Sequence, residues 1–152
     1  MNTTKKSLRR ALVTGGAMAA MLGASLAAAP QAAAGGCSSW WEPCGVAENR
    51  TSSTMATTET LNEGPDWCDV WNAPDLGWHI RCTQKSLGPG GTRGGGTVDV
   101  DAFTFPGTRY FVMMYDGTTK WLDPGVWTKF PSNRKASCHD DWSMGGPVCS
   151  VN

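Results

Sequence analysis

Six cysteines constrain this chain more than any other feature. Cys37, Cys44, Cys68, Cys82, Cys138 and Cys149 all lie beyond residue 34. An even set in a short exported chain predicts three disulfides, because a small core alone offsets the conformational entropy of folding only narrowly. No C-x-x-C pair occurs, which disfavours zinc. The local pairs Cys37–Cys44, Cys68–Cys82 and Cys138–Cys149 are favoured. With Cys68–Cys82 set by the hairpin described below, the remaining connectivities of Cys37, Cys44, Cys138 and Cys149 tie the N-terminal loop to the C-terminal tail, and spacing alone does not decide between them and the local pairs.

The export signal precedes them. MNTTKKSLRR is basic, ALVTGGAMAAMLGASLAAA is apolar, and PQAAAGG is small. That order reads as a secretory signal peptide over residues 1–34, cut after Ala34. The general secretory route is expected; Arg9-Arg10 also loosely fits a twin-arginine signal. The alanine-rich style resembles an actinobacterial exported protein.

Residues 1–34 hold four of the 13 Lys+Arg and none of the 13 Asp+Glu. The remaining 118 residues carry nine positive and 13 negative groups, a net of −4. Neither nucleic acid nor, after cleavage, a membrane surface is an expected partner, since no basic patch survives.

The expected fold is mainly β: a small disulfide-bonded antiparallel domain, meander or sandwich, over residues 65–152, with an extended N-terminal arm. DWCDVWNAPDLGWHIRCTQ reads as a hairpin with Val70 facing Ile80 and Cys68 facing Cys82. TVDVDAFTF, TRYFVMMY, TTKWL and VWTKF then read as a meander, with Asp116-Gly117 the strongest turn signal. TRYFVMMY, apolar on both faces, is expected to be central. Six glycines in 87–96 read as a flexible connector, and 131–152 as a loop-rich tail. Residues 35–64 read as a Cys-closed arm followed by a Ser/Thr-rich stretch, either a linker or an extended strand for a sheet edge.

Catalytic signals are weak. His139-Asp140-Asp141 is the best candidate, but a solvated turn explains it better. The same carboxylates follow no calcium-loop pattern. Nothing singles out Asp99, Asp101 or Glu63 as a glycosidase pair. No catalytic residue, metal or cofactor is therefore expected.

Tryptophan is the distinctive residue, eight in the 118. Exposed indoles anchor protein interfaces or stack on sugar rings. Trp40 and Trp41, inside CSSWWEPC, are the first candidates, with Trp78, Trp121 and Trp127 after them. The expected function is a secreted, non-enzymatic binding or adaptor protein that docks onto an extracellular protein. A carbohydrate-binding module is the alternative, and a small hydrolase or protease inhibitor comes third.

In layout, the signal peptide, the arm at 35–64 and the compact cysteine-bonded β domain resemble the small secreted adaptor subunit of streptomycete umbrella toxin particles. That resemblance implies a subunit of an antibacterial complex, joining a lectin-bearing chain to a toxin-bearing one and carrying no catalysis.

Overall fold

A computed structural model describes Cys37 and residues 43–152. Ten strands and no helix occur among them: β1 Val46–Arg50, β2 Met55–Val70, β3 His79–Leu87, β4 Thr92–Gly94, β5 Ala102–Thr104, β6 Tyr110–Met113, β7 Thr119–Leu122, β8 Val126–Lys129, β9 Lys135–Asp141 and β10 Gly146–Val151. The molecule is mainly β, as its alternating sequence requires. The three disulfides are the local ones: Cys37–Cys44, Cys68–Cys82 and Cys138–Cys149.

Six strands form one sheet in the order β4-β1-β9-β10-β6-β7. The other sheet runs β3-β2-β5-β8. Its first part pairs β2 with β5 at Ala56–Thr58. β5 pairs with β8, and β8 returns to β2 at Asp69–Val70. The circuit β2–β5–β8–β2 therefore closes on itself, which leaves fewer free edges.

Closure demands a bend in β2. Its pairing with β3 slips between Thr58 and Asp66. Asn62 and Gly64 take positive φ there, 76° and 119°. At Gly64 a Cβ would meet the Cys82 carbonyl oxygen at 2.2 Å, so only glycine fits.

Two cores result. Met55, Phe103 and Leu87 from one sheet meet Tyr110, Val112, Ala136, Cys138, Cys149 and Val151 from the other. Inside the closed circuit, Ala56, Cys68, Val70, Ile80, Cys82 and Ala102 surround Trp127.

Several expectations are corrected. The hairpin register is displaced by two residues: Cys68 stands opposite Ile80 and Trp67 opposite Arg81. A two-residue shift preserves which face each side chain takes, so the Cys68–Cys82 bond still forms, now diagonally, with Cα atoms 6.0 Å apart. The four-strand meander does not occur, because β5 and β8 lie in one sheet and β6 and β7 in the other. The Asp116-Gly117 hairpin is present, with Met113 opposite Thr119. β6 is internal, between β10 and β7.

The glycine-rich stretch contains β4, which pairs with β1. At Gly94 a Cβ would lie 2.1 Å from the Gly45 carbonyl oxygen, so the glycine permits close approach of the two chains rather than flexibility. The tail contains β9 and β10.

The arm is corrected from Val46 onward. β1 lies between β4 and β9 inside the sheet, and the expected boundary at 64/65 falls within β2. The Ser/Thr-rich stretch is ordered by its own hydroxyls and amides. Buried Asn49 donates to the Ser53 and Leu87 carbonyls and accepts from Thr51. Thr57 and Thr58 are fully buried, the first donating to the Lys85 carbonyl and the second to that of Thr60. Glu48 ties β1 to β9 through Lys135 Nζ at 2.8 Å and Ser137 Oγ at 2.6 Å. The expected signal peptide over residues 1–34, Trp40 and Trp41 lie outside the described residues.

Candidate functional site

The β2–β3 hairpin presents two chemically different faces. Even-numbered Cys68, Val70, Ile80 and Cys82 point into the closed circuit. Alternation sends Trp67, Asp69, His79 and Arg81 outward. There the His79 ring stacks on Trp67 with centroids 4.3 Å apart and planes 9° from parallel. The Arg81 guanidinium lies 4.2 Å from the centre of the same indole. His79 Nδ1 and Asp69 Oδ1 are 2.6 Å apart. Arg81 also donates to the Pro65 carbonyl, and Gln84 Nε2 donates to that of Trp67.

These contacts hold the indole in place while leaving it open: Trp67 is 48% exposed. Trp78, just before β3, is 55% exposed. β3 pairs only with β2, so its other edge carries no strand among the described residues. A nine-residue strand with a bare edge and two exposed indoles beside it can accept a further strand and anchor it.

The other expected binding residues separate. Trp127 is corrected: it is 2% exposed and fills the closed circuit, because its strand pairs with both β5 and β2. Trp121 is half-buried against Phe111, at 5.4 Å, with the Arg109 guanidinium 4.7 Å from its ring. Trp78 precedes β3 of one sheet, Trp121 lies on β7 of the other, and the two share no ring contact among the described residues. Trp40 and Trp41 lie between Cys37 and Cys44, whose disulfide closes their loop. That loop leads into Gly45, whose N–H donates to Asp99 Oδ1 at 2.6 Å.

Asp99 thus has a structural task, completed by Ser132 Oγ on its other oxygen. Burial, and then the negative charge of Asp99, push the Asp101 carboxyl up to about 6. Glu63 is exposed on β2. His139 is exposed on β9, and Asp140 accepts from the Ser52 amide at 2.8 Å. No group of three or more metal-ligating side chains occurs among the described residues.

Two exposed tryptophans were not among the expected binding residues. Trp67 could have been found by parity, since it faces away from Cys68 at any even register. Trp142, 90% exposed, follows two aspartates and precedes Gly145-Gly146, the pattern of a hairpin tip. Comparison with family models, with curated proteins and with solved structures returns no match for this chain.

Proposed function

We propose that this chain is a secreted, non-catalytic docking protein that joins an extracellular protein partner by strand addition along β3. The observation that carries this reading is the bare β3 edge flanked by Trp67 and Trp78, both about half exposed. Backbone hydrogen bonds along such an edge supply affinity, and indoles beside it supply anchors. The three disulfides fit an oxidising compartment, which agrees with export. The Cys37–Cys44 loop supports a second contact, because a short closed ring bearing Trp40 and Trp41 loses less entropy on binding than an open chain. The compact cysteine-bonded β domain still resembles the umbrella-toxin adaptor subunit, although residues from Val46 onward form sheet strands rather than an arm, and this favours a larger subunit of a secreted antibacterial complex as the partner.

Affinity capture of the tagged protein from its own culture supernatant tests the reading. Wild type should recover an extracellular protein in fixed ratio. Trp67→Ala/Trp78→Ala should lower that recovery at least about tenfold, the equivalent of 1.4 kcal/mol. Equal recovery by both forms, or recovery of the tagged chain alone, contradicts it.

A further inference from the structure

The β9–β10 hairpin carries a second exposed surface, separate in sequence from β3. Its strands are locked by Cys138 opposite Cys149. At its tip the Met144 amide donates to the Asp141 carbonyl, and Gly145 takes φ 74°. The Asp141 carboxylate accepts from both the Ser143 amide and hydroxyl, and these bonds, the hydroxyl's first, hold it below the usual carboxylate range. A tip fixed in this way holds Trp142 at 90% exposure. An indole that open gains nothing from the fold, since its apolar surface is left in water.

Trp142 stands beside a hollow of about 220 Å3 that it lines with Ser52, Ser53, Asp140, Asp141 and Pro147. A second hollow of about 320 Å3 continues from it, sharing Ser53 and Thr108 and reaching Pro106 and Gly107. The groove therefore combines hydroxyls and carboxylates with an apolar surface of indole, proline and glycine. Asp140 accepts from the Ser52 amide through Oδ2 and Asp141 from Ser143 through Oδ1, which leaves a second oxygen on each for a ligand.

We propose that this groove binds a neutral β-1,4-linked pyranose chain, with Trp142 as the stacking platform. A pyranose ring with equatorial substituents offers a flat face of C–H groups to an indole and a rim of hydroxyls to acceptors. The free carboxylate oxygens and the Ser and Thr hydroxyls supply that rim. The same two carboxylates repel uronic acids and phosphate-bearing polymers. An apolar anchor from a protein would leave the carboxylates and hydroxyls beside the indole unpaired, whereas sugar hydroxyls pair with them. This surface is distinct from the β3 edge, so the chain can hold a glycan and a protein together.

Isothermal titration calorimetry with cellohexaose, chitohexaose and polygalacturonate tests the proposal. At least one of the two neutral chains should bind tighter than about 1 mM. Which one binds separates a glucan from an amino-sugar source. Trp142→Ala should weaken binding at least about tenfold, and Trp142→Phe should retain part of it. Both variants should melt with the wild type, because Trp142 is 90% exposed. Trp67→Ala/Trp78→Ala should bind the sugar normally, so failure here is separable from failure of the docking reading. No heat from either neutral chain at about 10 mM, stronger binding of polygalacturonate, or unchanged binding by Trp142→Ala overturns the proposal.

Discussion

At the scale of single residues, exposure separates tryptophans that the sequence presents alike. Trp78 and Trp127 were both candidates for contact, yet one is 55% exposed and the other 2%. Nothing local distinguishes VWTKF from GWHIR; what distinguishes them is that β8 is gripped on both sides, by β5 and by β2. Asp101 is a second case. Burial raises its carboxyl from 3.8 to about 6, with Asp99 adding repulsion. A raised acid pKa means the folded state binds more protons than the unfolded state between those values. Its stabilising contribution is therefore complete below about 3.8 and is lost as pH rises through about 6. Asp101→Asn should be more stable than wild type at pH 7, and the difference should shrink on titration towards pH 4. Thermal melts across that range check it; an Asn variant less stable than wild type at pH 7 contradicts it. Glu48 behaves in the opposite sense. Lys135, Ser137 and Arg50 lower it from 4.5 to about 2, so its contribution is full above 4.5 and disappears as pH falls through about 2.

At the scale of elements, strand existence was more legible than strand partnership. Alternation and turn signals located the β2–β3 hairpin, the β6–β7 hairpin and β8. Their assembly depends on contacts between residues far apart in sequence, such as β10 lying parallel to β6 with Cys149 opposite Val112. The Ser/Thr-rich stretch was unreadable for a related reason. Its apolar content is low, but Thr57 and Thr58 are buried with hydroxyl partners, so β-branched packing and satisfied polarity do the work expected of aliphatic side chains. The bend in β2 was equally hidden, since Asn62 and Gly64 are ordinary turn residues until the Cys82 backbone comes against them. The circuit that this bend closes is filled by one large side chain. Trp127→Ala should therefore cost about 3–5 kcal/mol in denaturant unfolding, while Trp78→Ala changes stability by less than about 0.5 kcal/mol. Similar losses for the two variants would contradict the assignment of core and surface.

At the scale of the whole molecule, the two sheets leave β3 as a long edge, and the exposed indoles lie beside it and at the β9–β10 tip. The disulfides stabilise local loops: Cys68–Cys82 spans the β2–β3 hairpin and Cys138–Cys149 spans β9–β10. Each removes loop entropy from the unfolded chain, about 3 kcal/mol for a 15-residue loop. The Cys68–Cys82 pairing was favoured from the hairpin register and holds, although that register is displaced by two residues. The arm reading has a practical consequence. Deleting residues 35–64 would remove β1 and most of β2, so a test of the N-terminal loop must change Trp40 and Trp41 alone.

The measurement closest to the central claim is hydrogen exchange of the backbone amides of His79–Leu87, free and with the captured partner bound. Strand addition pairs the outer edge of β3, so the alternate amides that face away from β2 should exchange at least about tenfold more slowly in the complex. Unchanged exchange along β3, with new protection confined to other strands, would contradict docking at this edge.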